Sequence, residues 1–359
     1  MEIPAGFIKG LSGKNSLGIW QRRYVLKFDI EKGPVVCVGS ALMDILIKEE
    51  DSFLERAGAE KGGMNLVERE YIDRLLSESA NEPLIVPGGS ACNTAIGLGM
   101  LGCASRFVGK RGEDEMGETF EQYLKSHNVE PMLYKSAAST GRVLSVITPD
   151  AQRTMFTHLG AAAEIVPEEI MITCCEHASI AHIEGYLLFN YDLITAVLDA
   201  ARSMGAKISL DLASFNVVEE SRDFLINVVM DYVDIVLANE DEARAFTGKE
   251  NEEDVIKALS DHADIAVMKL GARGSIIAYD NEIISVAPEG DGRVIDTTGA
   301  GDLWAAGFLA GIVKGFDLEK CGAMGSLCGF EVCRVIGAKI PDDRWGYIRA
   351  KFDLPDENN

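Results

Sequence analysis

The feature that most constrains this chain is a repeated alternation, from Pro34 onward, of short β-branched runs with longer helical stretches. Val35–Val38, Ser105–Val108, Ala178–Ile183, Lys207–Asp211, Val233–Leu237 and Asp264–Lys269 read as buried strands, because they are short runs rich in β-branched and other apolar residues. Ser90–Leu101, Glu115–His127, Tyr191–Met204 and Asp223–Met230 read as helices. Alternation of this kind requires βαβ crossovers, so the sequence predicts an α/β fold with a mostly parallel, doubly wound sheet.

Two regions break the alternation, Ala41–Ile85 and Pro131–Phe156. In the second, Gly141–Thr148 and Arg153–Phe156 resemble exposed strands around a Pro149-Asp150 turn. Together the regions, about 41–85 and 131–156, are expected to form a small β lid; decorative edge strands are the plainer alternative. Residues 1–33 form an N-terminal extension without an assigned role, although Gln21–Phe28 could be a strand. The main domain is expected over 34–345 and a C-terminal tail over 346–359. Gly10–Asn15 shares glycines and a lysine with a P-loop, but its glycine spacing is too short and Asn15 replaces the Ser or Thr that would hold Mg²⁺.

Net charge decides what the chain can bind. At −23, with no basic stripe interleaved with aromatics, its field repels a phosphate backbone, which argues against a nucleic-acid partner. Any phosphate site must therefore rely on local backbone dipoles and a metal ion. The eight cysteines form no C-x-x-C pair and lie mostly in apolar stretches, as buried, reduced thiols do. Met1–Gly18 lacks the apolar core of a cleavable signal, and no stretch reaches the ~18 uncharged apolar residues of a membrane span. The expectation is a cytoplasmic protein with no membrane partner.

Chemistry concentrates at Asp296-Thr297-Thr298-Gly299-Ala300-Gly301-Asp302, directly before the helical pattern Leu303–Val313. Glycines at 299 and 301 let backbone N–H groups converge at a helix N-terminus, where the macrodipole favours an anion. Asp302, on the first turn, stands where it could accept a proton from an attacking hydroxyl. Read alone, it could equally be a first-turn acid complementing the helix dipole.

This segment is similar to D-T-x-G-A-G-D, the C-terminal signature of the ribokinase-like (PfkB) family of carbohydrate and nucleoside kinases. Gly88-Gly89-Ser90-Ala91-Cys92-Asn93 resembles the family's other signature, a glycine pair followed by Asn at a helix start. The likeness runs from about Val35 to about Pro341. It implies a three-layer α/β/α sandwich with a β lid, and transfer of the ATP γ-phosphoryl group to a hydroxymethyl group of a small-molecule sugar or nucleoside. Asp302 would be the catalytic base, with Gly299, Ala300 and Gly301 donating backbone N–H groups.

The resemblance extends to other positions. Asn239-Glu240-Asp241-Glu242 looks like the family's N-x-x-E motif near Mg²⁺, which assigns Asn239 and Glu242 to the metal; a helix-capping pair is a compatible reading. Lys269-Leu270-Gly271-Ala272-Arg273-Gly274 is similar to the nucleotide-side loop, so Lys269, Gly271, Gly274 and Thr297 are assigned to ATP. Val286-Ala287-Pro288 and a helix over Cys321–Val335 would close the adenine site. Asp44, just beyond the first strand, matches the family's acceptor-binding Asp, and with Gly88, Gly89 and Asn93 it would hold acceptor hydroxyls. Arg153 has two readings, a contact to phosphates or substrate and a surface arginine.

Lys61–Val67 and Arg153-Thr154-Met155 resemble adenosine-kinase-like members, and Ser209–Ala213 lacks the Asn that many sugar-phosphorylating members carry after their Asp. An adenosine-like nucleoside is thus the expected acceptor, with a free sugar (ribose, fructose or a keto-deoxy sugar) as the alternative. A catalytically silent ligand-binding protein with the same fold is the rival from another class. A nicotinamide-dependent oxidoreductase fails because no G-x-G-x-x-G follows the first strand. Both a monomer and a homodimer formed through the lid fit the resemblance.

Overall fold

The computed structural model describes residues 33–150 and 152–355. The extension at 1–33, Gly33 apart, and with it the Gly10–Asn15 segment fall outside them. Among the described residues a nine-stranded sheet runs, edge to edge, through Glu282–Val286, Ser275–Tyr279, Ile265–Lys269, Ile235–Asn239, Lys207–Asp211, Ile180–Glu184, Val35–Val38, Ser105–Gly112 and Val129–Ser136. Pairing is parallel except at the two strands of the Ser275–Val286 hairpin. Val35–Val38 and Ile180–Glu184 are buried at every position, as the apolar runs require.

From Val35–Val38 the chain first builds outward to Ser105–Gly112 and Val129–Ser136, then returns to the other side of the starting strand at Ile180–Glu184. That reversal is a topological switch point, and the crevice above it lies outside the carboxyl ends of both strands. Helices Ser90–Met100, Glu115–Ser126, Ala300–Val313, Leu318–Val332 and Asp342–Lys351 cover one face. Tyr191–Ser203, Phe215–Tyr232, Glu240–Thr247 and Glu252–Ser260 cover the other, completing the expected α/β/α sandwich. Ala300–Val313 is apolar nearly all round because it is packed between Leu318–Val332 and Ser90–Met100. Gly97 permits that approach: a Cβ there would lie 2.5 Å from Ala306 Cβ.

A second sheet orders Met64–Leu66, Arg153–His158, Gly141–Ile147, Leu42–Lys48 and Leu84–Gly88. Its two faces follow from the period of two. Ile45, Ile47, Leu144, Val146 and Phe156 pack beneath helices Asp51–Ala57 and Arg69–Glu78, while Leu42, Asp44, Val143, Met155 and Thr157 look into the cleft.

Three boundaries differ from the sequence reading. Val129–Ser136 belongs to the main sheet, paired in parallel with Ser105–Gly112 over its whole length, so the lid's second segment starts at Gly141 rather than near 131. It is a half-buried edge strand, which is why its pattern resembled a lid strand. The helix expected over Asp223–Met230 spans Phe215–Tyr232. Its β-branched pair Val217-Val218 weakens the local helical signal, but burial of that face overrides propensity. Helix Asp342–Lys351 runs through the expected tail boundary at 345, with Trp345, Ile348 and Phe352 buried. All eight cysteines are buried and unpaired. Among the described residues no helix is long and apolar enough to cross a membrane.

Candidate active site

A cleft of about 940 Å³ opens between the carboxyl ends of the main strands and the inner face of the second sheet. Asp44, Gly89, Asn93, Arg153, Asn239, Glu242, Lys269, Gly271, Gly274, Thr297, Gly299, Ala300, Gly301 and Asp302 all line it. Gly88 does not reach the wall. It lies beneath Asp44, where a Cβ would stand 2.1 Å from Asp44 Oδ2, so its missing side chain makes room for that carboxylate.

The glycine loop is built by its first residue. Asp296, fully buried, accepts through Oδ1 from the Thr298 N–H at 2.9 Å and hydroxyl at 2.7 Å, and through Oδ2 from the Gly337 N–H at 2.8 Å. These bonds turn the chain so that Gly299, at φ +74°, enters helix Ala300–Val313. At this turn the Ala300 N–H donates to the Thr297 carbonyl at 3.1 Å and the Leu303 N–H to the Gly299 carbonyl at 2.8 Å, which leaves the N–H groups of Gly301 and Asp302 without an intrahelical acceptor at the cleft end, as an anion cradle needs.

Asp302 sits on the first turn of that helix, with its carboxylate held by a second one. Ser90 Oγ donates to Oδ1 and Asn93 Nδ2 to Oδ2, each at 2.8 Å. Thr94 Oγ1 meets the Asp302 carbonyl at 3.1 Å. Burial raises the Asp302 pKa above the ordinary carboxylate range, while Asn93 and Ser90 counter by favouring the ionised form. The result is a fixed carboxylate able to take a proton.

Asp44 ends up 6% exposed on strand Leu42–Lys48, and burial pushes its pKa to about 7, against the lowering effect of Arg153. Asn239 caps helix Glu240–Thr247 by accepting from the Glu242 N–H at 2.9 Å. Glu242 in turn accepts from the Asn239 N–H at 2.8 Å and from Nδ2 at 2.6 Å. The capping reading is therefore realised in full. It leaves lone pairs on both Glu242 oxygens, and an all-oxygen donor set matches a hard cation that keeps most of its waters. Among the described residues no cluster of three His, Cys, Asp or Glu side chains forms a metal cage, so any Mg²⁺ here would take its remaining ligands from water and phosphate.

Two acids were given no site role from the sequence, although Asp211 marked the Ser209–Ala213 segment there. Glu184, 1% exposed at the end of strand Ile180–Glu184, accepts from the Ser40 N–H at 2.8 Å and the Ala91 N–H at 3.0 Å. It thereby ties the loop after Val35–Val38 to the helix that holds Asp302, and burial pushes its pKa to about 7. Asp211, ending the next strand, accepts from Lys269 Nζ at 2.7 Å. The available signal for both was an acid as the last residue of an apolar parallel strand, where open α/β sheets bind ligands.

Residues 34–344 match the pfkB family carbohydrate kinase profile. The chain is similar to the adenosine kinase from Sinorhizobium meliloti, at 31% identity and a TM-score of 0.85, over 89% of this chain and 99% of that one. It is equally similar to a probable sugar kinase protein from Rhizobium etli, at 30% identity and a TM-score of 0.85, over 90% and 100% of the two chains. The nucleoside kinase of Methanocaldococcus jannaschii is 28% identical over 74% of this chain and 85% of its own length. With both signatures assembled around one cleft and the match spanning the whole α/β sandwich, this chain belongs to the pfkB family of carbohydrate kinases.

Proposed function

We propose that the protein transfers the γ-phosphoryl group of ATP to the primary hydroxyl of a nucleoside. In that step the acceptor oxygen forms a bond to Pγ, the bond from Pγ to the β,γ-bridging oxygen breaks, and its electron pair leaves with ADP. Asp302 takes the hydroxyl proton. The Gly299 and Gly301 N–H groups, with that of Ala300 shared with the Thr297 carbonyl, offset the charge on the moving phosphoryl group, a service that positioning and electrostatics can supply without covalent chemistry. Thr297, Gly271 and Gly274 face the nucleotide. Bound Mg²⁺ would add positive charge between the phosphates, with Asn239 and Glu242 meeting it through water. Asp44 and Asn93 hold the acceptor's hydroxyls, and Arg153 closes over it from the lid.

The observation that carries the nucleoside reading is the apolar wall beside Asp44. Met64, Leu66, Met155 and Leu159, on or next to the second sheet that carries Asp44, line the cleft together with Phe189, and Leu66 is 50% exposed and Phe189 41% exposed. A free sugar has only the small C–H faces of one ring to offer such a wall. A nucleobase covers it, and each Å² of apolar surface removed from water contributes about 25 cal/mol. The adenosine and nucleoside kinases among the relatives favour the same acceptor. The sugar kinase relative keeps a free sugar as the second reading, since a carboxylate at Asp44 accepts from any vicinal diol.

A panel of nucleosides, ribose, fructose and keto-deoxy sugars, assayed for turnover with ATP and Mg²⁺, tests this. At least one nucleoside should exceed every free sugar in kcat/KM by about tenfold, equivalent to 1.4 kcal/mol of differential transition-state binding. A free sugar leading by that margin reverses the choice of acceptor.

A further inference from the structure

The charge balance at the glycine loop singles out one side chain. Seven carboxyl groups line the cleft, those of Asp44, Glu184, Asp211, Glu242, Glu289, Asp291 and Asp302, and a phosphoryl group arriving there adds more negative charge. Among the described lining residues only Arg153 and Lys269 are cationic. Arg153 stands on the lid, whereas Lys269 ends strand Ile265–Lys269 and reaches past the neighbouring strand Ile235–Asn239 to Asp211. Its Nζ lies 2.7 Å from Asp211 Oδ2 and its side chain is 12% exposed.

Gly301 faces this ammonium directly: a Cβ at that position would stand 3.3 Å from Lys269 Nζ. An ammonium has three donors, and Asp211 takes one. A fixed cation thus sits beside the N–H groups of an anion cradle, in a chain whose overall field repels anions.

Resting on the phosphotransfer reading above, we propose that Lys269 is a catalytic residue: its ammonium, aimed by Asp211, touches the transferring phosphoryl group and offsets the charge gathering there and on the departing ADP oxygen. Asp211 is its positioning residue. The competing account is that Lys269 exists to neutralise Asp211.

Lys269→Met, Asp211→Asn and the double variant, made in the full chain, separate the two. The readouts are Tm, kcat and acceptor KM, and calorimetric affinity for a non-hydrolysable ATP analogue against AMP. Lys269→Met should lower kcat by about 10²–10³-fold, the usual cost of one oxyanion donor. It should weaken the analogue by at least about tenfold while leaving acceptor KM and AMP affinity nearly unchanged. Leaving Asp211 buried and unpaired should also lower Tm. The double variant should regain Tm but neither kcat nor analogue affinity.

A double variant turning over within about fivefold of wild type overturns the proposal, as does analogue affinity that ignores Lys269. If none of the three variants folds, the nitrogen NMR signal of Lys269 Nζ in labelled wild type decides: it should move on adding the analogue and not on adding AMP, and a signal indifferent to both refutes the contact. A wild type that binds the analogue through Lys269 yet phosphorylates nothing in the acceptor panel defeats the kinase reading instead.

Discussion

Asn93 Nδ2 donates to Asp302 Oδ2 at 2.8 Å, joining the first turns of two helices whose residues stand 209 apart in the chain. The bond makes the two family signatures one device: the glycine-pair helix holds the carboxylate that the glycine-loop helix supplies. Ser90 completes it from the same turn.

Asp302→Asn keeps the shape and removes the proton acceptor. Turnover should fall by about 10²–10⁴-fold, the range for a positioned general base. Tm should hold, because Ser90 can rotate its hydroxyl to meet an amide and burial already opposes the native carboxylate charge. Rate and melting are measured on the same preparations; turnover within about fivefold of wild type removes Asp302 from the base role.

Asn93→Ala gives a subtler signature in the pH profile. Removing a donor to the ionised form lets burial raise the Asp302 pKa further. The acid limb of kcat should therefore move to higher pH, while the alkaline side keeps most of its rate. An unmoved acid limb with uniformly reduced kcat would show that Asn93 acts on the acceptor alone.

Asp44→Ala should act on binding. On the proposed reading its carboxylate faces the acceptor rather than the phosphates, so hydrogen bonds lost in ground and transition states alike raise KM with little change in kcat. One charge-assisted bond of about 1.5–3 kcal/mol corresponds to a KM increase of roughly 10–100-fold. Initial rates across an acceptor series check it, and a fall in kcat alone would give Asp44 a different task.

The sheet and the glycine loop were legible because each rests on a local requirement. Val35–Val38 and the first four residues of Ile265–Lys269 are apolar runs that suit a doubly covered sheet, and Gly299 occupies a positive φ. Glu184 was not legible. Its meaning comes from the N–H groups of Ser40 and Ala91, 144 and 93 residues away, and no local pattern encodes that meeting. Lys269 was placed at the nucleotide by resemblance, yet its orientation depends on Asp211, 58 residues earlier. Long-range pairing also decided Val129–Ser136, whose half-exposed pattern fits an edge strand and a lid equally.

The same buried acids set how stability should depend on pH. Burial pushes the pKa values of Asp44, Glu184 and Glu242 to about 7 in the folded protein, while in the unfolded chain such groups titrate near pH 4. Between those limits the native state holds more protons than the unfolded state, so stability falls as pH rises from about 4 to 7. Glu121 and Asp150 have the opposite sign. Lys125 and Arg111 hold the first at about 2, and Lys61 with Thr148 holds the second at about 2, so their contribution is present above pH ~4 and lost on acidification towards 2. The ligand-free protein should thus melt at its highest temperature near pH 4–5 and at progressively lower temperatures up to pH ~7.5. Glu184→Gln tests one group at a time. Its amide can accept from only one of Ser40 and Ala91, so Tm at pH 5 should drop, by an amount equivalent to about 1–3 kcal/mol for the unsatisfied N–H. Its Tm should also decline less between pH 5 and 7, because one proton-binding group is gone. Calorimetric Tm values across that range, for both proteins, measure the two slopes; a wild-type Tm that climbs from pH 5 to 7 contradicts the raised pKa values on which the prediction stands.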